Sequence, residues 1–235
     1  MSDSILQLAG VHTYYGPSHV LRGVDLTVGH DEVVAVLGRN GMGKTTLIHT
    51  IAGLVKPREG TITLEGERID GLAPWRIARR GLSLLPQGHR VFPSLTVAEN
   101  LKIAADNGGP WDPKEMEERI PILAERRRQP AGTLSGGQQQ MLTLARALVR
   151  NPKMLLLDEP SEGLDPEHSR IAAELITEAR QRGVSILVVE QRVEFALGVA
   201  DRVLILSKGS PVFVGTPDEL RAAEDVQRQH LGVGA

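Results

Sequence analysis

The residues GRNGMGKTT at 38–46 leave this chain little choice of fold. They fill the pattern G-x-x-x-x-G-K-[ST] with Gly38, Gly43, Lys44 and Thr45. The apolar run EVVAVLG leads in and TTLIHTIAGL leads out, which predicts a buried strand, a tight loop and a helix. Glycines let the backbone turn so that successive N–H groups point at phosphate oxygens. The helix start behind them adds partial positive charge. Gly38, Arg39, Asn40, Gly41, Gly43, Lys44, Thr45 and Thr46 are therefore read as an ATP-binding cradle. Lys44 is expected to reach the β- and γ-phosphates, and the Thr45 hydroxyl to ligate Mg²⁺.

Composition agrees with a compact α/β protein. The chain has 235 residues, enough for one large domain or two small ones. Its formal charge of −2 supplies no basic field for nucleic acid or anionic lipid. The absence of cysteine excludes disulfides and thiolate metal sites. No apolar run approaches the ~18 residues that span a bilayer. The start MSDSILQLAG lacks the basic and long apolar stretches of a signal peptide, so a soluble, cytoplasmic protein is expected.

Strand-like and helix-like segments alternate along the chain. Runs at 5–8, 21–28, 33–37 and 61–64 read as strands. Between 86 and 140 the pattern turns helical, with TVAENLKIAA and the charged KEMEERIPILAERRR. NGGP at 107–110 and QPAGT at 129–133 punctuate it. Alternation then resumes through MLLLD, a helix over 166–182, VSILVVE, another helix, VLILSKG and PVFVG. The expected fold is a parallel-sheet α/β core carrying a helical insertion, as one domain with subdomains.

The strand MLLLDEP ends in two acids, and ligands in open α/β sheets sit beyond the carboxyl ends of strands. Asp158 is thus placed to hold the Mg²⁺ shell. Glu159 is placed to accept a proton from water attacking the γ-phosphate. Upstream, LSGGQQQM opens a second helix, with Ser135 as a natural N-cap and Gly136 and Gly137 leaving its first N–H groups unscreened. Met141, Leu142, Leu144, Ala145 and Leu148 give that helix an apolar face. Two helix starts in the chain therefore seek phosphate.

With these motifs on hand, the chain resembles ABC-type ATPase subunits over essentially its whole length. The matching stretches are the phosphate loop 38–45, the signature 134–138, the acid-ended strand 154–159 and the D-loop SEGLD at 161–165, which includes Asp165. The resemblance implies a P-loop NTPase fold, a RecA-like α/β core with an N-terminal antiparallel β subdomain and an inserted α-helical subdomain. It implies a single nucleotide-binding domain over 1–235, with 1–87 and 141–235 as core and β subdomain and 88–140 as the helical part. Gln87 of LLPQG would contact Mg²⁺ and water. The aromatic before Gly16, Tyr15 or else Tyr14, would stack on adenine, a contact that contributes ~1–3 kcal/mol per base. The family further implies a head-to-tail dimer. In it the Lys44 loop of one copy faces Ser135, Gly136, Gly137 and Gln138 of the other, and closure on ATP drives an integral membrane permease.

Narrower likeness lies in YYGPSHVLRGVDL, LPQGHRVFPSLTVAENL and GTLSGGQQQM, which are similar to importer ATPases for branched-chain amino acids and, in the same branch, urea or amides. That branch implies a solute-binding protein as indirect partner and a place on the inner face of the cell membrane. It implies a groove for a permease helix, with Arg90, Phe92 and Leu95 as candidates. Most of the family place a γ-phosphate histidine after VSILVVE, where this chain has Gln191. Glutamine can donate a hydrogen bond but cannot carry charge or shuttle a proton. The branch shares that glutamine and pairs with a second, different ATPase subunit, so a heterodimer is expected, a homodimer remaining open. A soluble ABC ATPase acting on translation or DNA and a weakly hydrolysing nucleotide-gated subunit are the competing classes. The seven histidines, His89 among them, show no metal-ligand spacing, and Trp75 and Trp111 are too isolated for a stacking platform. ERRR at 125–128 reads as a solvated helix face, so no nucleic-acid partner is expected.

Overall fold

A computed structural model describes residues 4–88, 90–106 and 108–232; His89 and Asn107 of the NGGP breaker lie outside them. Strands β1 (Ser4–Tyr15) and β2 (Ser18–Gly29) form a hairpin longer than the runs at 5–8 and 21–28. Its pairing shifts register at several points, and such bulges let a ladder continue where strict alternation fails. β3 (Val33–Leu37) follows, then the phosphate loop and α1 (Lys44–Ile51). β4 (Glu59–Leu64) and β5 (Glu67–Arg68) complete an antiparallel sheet in the order β2-β1-β4-β5. α2 (Pro74–Ala78) leads into β6 (Leu82–Leu85), a strand too short to stand out in the sequence.

The inserted part holds α3 (Val97–Ala104), α4 (Pro113–Arg119), α5 (Pro121–Glu125) and α6 (Gly136–Leu148). The charged run KEMEERIPILAERRR is divided, because Ile120 sits at φ −124°, ψ 83° before Pro121. The proline ring disfavours helical backbone in the residue ahead of it. α5 ends at Glu125, so the arginines at 126–128 lie beyond a helix rather than on its face; Arg127 pairs with Glu117 at 2.9 Å. α6 runs unbroken across the subdomain limit expected at 140. The chain closes with β7 (Met154–Asp158), α7 (Pro166–Gln181), β8 (Ser185–Glu190), α8 (Val193–Val199), β9 (Arg202–Ser207), β10 (Ser210–Gly215), α9 (Pro217–Ala222) and α10 (Glu224–His230).

The larger sheet runs β10-β9-β3-β8-β7-β6, parallel except for β10 against β9. β3, β7 and β8 are buried along their whole length, which explains why they read as unbroken apolar runs. Alternate residues feed two cores. Val33, Ala35, Leu155 and Ile186 pack with Met141, Leu144 and Ile176 of the helices. Val34, Val36, Leu156 and Leu187 pack with Leu47 of α1 and with Leu8, Val24 and Leu64 of the antiparallel sheet. Each of the Val, Leu, Ile and Met side chains among them contributes ~1.5–3 kcal/mol on burial. Packing from both sides fixes the carboxyl ends of β3, β8 and β7 beside one another, with Leu37 opposite Glu190 and Asp158 opposite Val189. Trp111 is a buried core residue under the Arg182 guanidinium, 4.1 Å from its ring centre, whereas Trp75 is exposed. Among the described residues no helix is long and apolar enough to cross a membrane.

Candidate active site

Gly43 enters α1 at φ +105°, a backbone that only a residue without a Cβ adopts freely. The first turn of α1 carries no acidic side chain of its own, which leaves the positive end of the helix suited to an anion. Lys44 is 5% exposed. Its Nζ donates to the Gly38 carbonyl at 2.8 Å and the Arg39 carbonyl at 3.4 Å, and lies 3.5 Å from Glu159 Oε1. Thr45 Oγ1 donates to Asp158 Oδ1 at 3.2 Å.

Asp158 is fully buried at the end of β7, and its Oδ2 has no partner among the described residues. Burial pushes its carboxyl from 3.8 to about 6; the charges of Glu159 and Glu162 push the same way, while the Thr45 hydroxyl and Lys44 oppose. A buried, orphaned carboxylate oxygen beside a threonine hydroxyl is a hard-oxygen donor set that fits Mg²⁺. The raised value has a consequence for the metal-free protein. Burial favours the neutral acid, so the stability tied to Asp158 is complete below its unfolded value and lost as pH rises through about 6. Asp158→Asn is expected to raise the metal-free unfolding free energy at pH 8 by on the order of 2–3 kcal/mol and to leave it unchanged at about pH 3, by urea melts. Equal effects at both pH values would contradict a buried charge.

Glu159 sits at φ +52°, left-handed backbone that costs a non-glycine residue roughly 1–3 kcal/mol. Bonds on every side hold it there. Its N–H donates to the Val189 carbonyl at 2.9 Å, and its carbonyl accepts from Glu162 N at 3.1 Å and Gln140 Nε2 at 3.2 Å. Gln87 Nε2 donates to Glu159 Oε2 at 3.0 Å and to Glu162 Oε2 at 3.5 Å.

A cavity of about 520 Å³ joins these groups. The loop lends it Asn40, Gly41, Gly43, Lys44, Thr45 and Thr46; the hairpin lends Tyr15 and Val20; the segments that follow β6, β7 and β8 lend Gln87, Glu159, Glu162 and Gln191. Tyr15 is 47% exposed at this cavity. Tyr14 lies elsewhere, stacked on the His19 ring at 4.1 Å with Arg58 over its other face. Arg39 lines no part of it and reaches the Arg228 carbonyl of α10 at 3.5 Å.

The signature segment stands apart. Ser135 and Gln138 form a reciprocal capping box at the start of α6, at 3.3 and 3.1 Å. A Cβ on Gly137 would come within 3.0 Å of the Gly163 carbonyl, so the glycine there lets this helix start lie against the D-loop. Asp165 caps α7 by accepting from His168 N at 2.9 Å. None of these residues lines the Lys44 cavity. A second groove of about 380 Å³ holds Phe92, Ile103, Arg90, Arg146 and Arg150, with no acid among the described residues that line it; Leu95 does not line it. The Arg146 guanidinium lies 4.5 Å from the Phe92 ring centre.

Sequence reasoning missed Val20, Gln140, Glu162 and the buried Glu190. A glutamine inside the apolar stripe of α6 was a readable signal for Gln140; the others had none. The family model described as ABC transporter matches residues 21–162, from the hairpin through the phosphate loop to Glu162. The chain belongs to the ABC transporter family. This ABC ATPase is 40% identical to a high-affinity branched-chain amino acid transport ATP-binding protein of Pseudomonas aeruginosa, over 97% of its own length and 100% of the relative's. It is 36% identical to the lipopolysaccharide export system ATP-binding protein of Haemophilus influenzae, over 97% and 98%. Its fold is similar to an ATP-binding cassette solved as a post-hydrolysis dimer with ADP and Pi, at TM-score 0.77 and 26% identity over 90% and 98% of the two chains.

Proposed function

We propose that this ABC ATPase hydrolyses ATP between two subunits to power import of branched-chain amino acids through a membrane permease. One observation carries the two-subunit reading. The cavity gathers Lys44, Gln87, Glu159 and Gln191, while Ser135, Gly136, Gly137 and Gln138 of the same chain are absent from its lining. A second subunit brings such a signature to the open side of the cavity, with Asp165 and its D-loop at the join.

Tyr15 then stacks on adenine, and residues 38–46 hold the phosphates through N–H groups and the Lys44 ammonium. Thr45, Asp158 and Gln87 would hold Mg²⁺, which when bound neutralises charge on the phosphate oxygens. Glu159 takes the proton of the attacking water, and Gln191 donates a hydrogen bond to the γ-phosphate. Gln191 cannot shuttle a proton, so it takes no share of the base role given to Glu159. The neighbouring subunit is a different ABC ATPase in this reading, the homodimer being the simpler alternative.

The acid-free groove around Phe92, with Arg90, Arg146 and Arg150, suits a permease segment and would hold the chain at the cytoplasmic membrane face. The solute and direction rest on the 40%-identical relative, since the 36%-identical one is named for lipopolysaccharide export. The test is affinity purification of the tagged chain from its own membranes, with uptake of labelled leucine in a deletion strain. Recovery of a polytopic membrane protein and loss of uptake are expected. Phe92→Ala is expected to weaken that recovery about tenfold while sparing nucleotide binding. A chain recovered free of membrane protein, with uptake intact, would overturn the reading.

A further inference from the structure

Glu190 ends β8 at 1% exposure, and no cation lies within ion-pair distance of it among the described residues. Its carboxylate instead accepts three backbone N–H groups. Oε1 takes Ser161 at 2.9 Å; Oε2 takes Gln191 at 3.1 Å and Arg192 at 3.2 Å. A fourth bond closes the loop, from Arg192 Nη1 to the Ser161 carbonyl at 3.4 Å. Burial pushes the Glu190 carboxyl up, and the nearby Ser161 hydroxyl, its geometry short of a hydrogen bond, pulls it partway back. A buried carboxylate with no counter-charge is an expensive way to fill space, and an apolar side chain would suit the core better. What the carboxylate supplies instead is a rigid joint. On one side is Ser161, first residue of the D-loop and two beyond Glu159. On the other is Gln191, which lines the cavity.

We propose that Glu190 is a positioning residue that locks the D-loop to the strand end bearing Gln191, so that the two move as one piece when subunits close. The proposal rests on the reading of Gln191 as a γ-phosphate contact. Arrival of a neighbouring subunit at the D-loop then sets the Gln191 amide, and the phosphate held by Gln191 sets the D-loop. Glu190→Gln keeps the size of the side chain but puts an NH₂ where an N–H donor needs an acceptor.

The test is steady-state ATPase kinetics of the purified full-length chain, with its native partner subunit where it has one, in Glu190→Gln, Arg192→Ala, Gln191→Ala and the double variants. Glu190→Gln is expected to lower kcat about 10- to 100-fold, the scale of misplacing a reacting group, with KM for ATP within about twofold. Arg192→Ala, at an exposed side chain that folding does not need, is expected to lower kcat about threefold. Because both act through Gln191, adding Gln191→Ala should slow neither variant beyond the slower single change. Multiplying losses, or a rise in KM equal to the fall in kcat, would overturn the joint. Should Glu190→Gln fail to fold, the Arg192→Ala and Gln191→Ala pair decides by the same criterion. A fast Glu190→Gln beside a slow Gln191→Ala sinks this proposal alone. A fast Gln191→Ala sinks the γ-phosphate reading first.

Discussion

Glu159→Gln is expected to lower kcat by about 10²- to 10⁴-fold while the protein still binds ATP with affinity within about threefold of wild type. The amide matches the carboxylate in size and can still meet Gln87, which donates to Glu159 Oε2 at 3.0 Å. It cannot accept a proton from water. The strained backbone at φ +52° is held by the Val189, Glu162 and Gln140 contacts, none of which involves the carboxylate, so the side chain stays aimed at the cavity. Radiolabelled ATP turnover beside equilibrium nucleotide binding checks the split. Turnover retained in the variant would remove Glu159 from the role of base, and Gln191 offers no replacement because glutamine cannot take the proton.

Lys44→Ala is expected to weaken ATP binding at least about 100-fold, because a charge-assisted hydrogen bond is worth ~1.5–3 kcal/mol and two phosphates lose theirs. The ammonium is already aimed, held by the Gly38 and Arg39 carbonyls and 3.5 Å from Glu159 Oε1. Little rotamer freedom is therefore left to lose on binding. Isothermal titration with a non-hydrolysable analogue gives the affinity directly. An unchanged dissociation constant would mean that the loop's N–H groups alone hold the nucleotide.

The sequence spoke most clearly where function is built from neighbours in the chain. The phosphate loop, MLLLDEP and the Ser135 cap each depend on local geometry, and the structure has the expected helix start at Lys44, buried strand and capped helix there. β3, β7 and β8 were legible because burial on both faces demands unbroken apolar runs. β6 was not, since LSLL mixes a serine into four residues. The hairpin of β1 and β2 was underestimated because its bulges break the two-residue period. Tertiary contacts were the blind spot. Gln140 reaches Glu159 across 19 residues and Glu190 reaches Ser161 across 29; the buried glutamine of α6 stands out in the sequence, but neither residue's partner does. Gln87, 72 residues from Glu159, was named only through family resemblance. Tyr15 over Tyr14 was a choice between adjacent aromatics, and Arg58 with His19 decides where Tyr14 goes.

The measurement closest to the central claim is an experimental structure of the Glu159→Gln protein, with its native partner subunit where it has one, grown with Mg²⁺ and ATP. The triphosphate is expected to be enclosed between the Lys44 loop and a signature segment from the other subunit, whose Ser135-equivalent hydroxyl lies within hydrogen-bond distance of the γ-phosphate. A nucleotide fully bound by one chain, with every such serine far from it, would contradict the account.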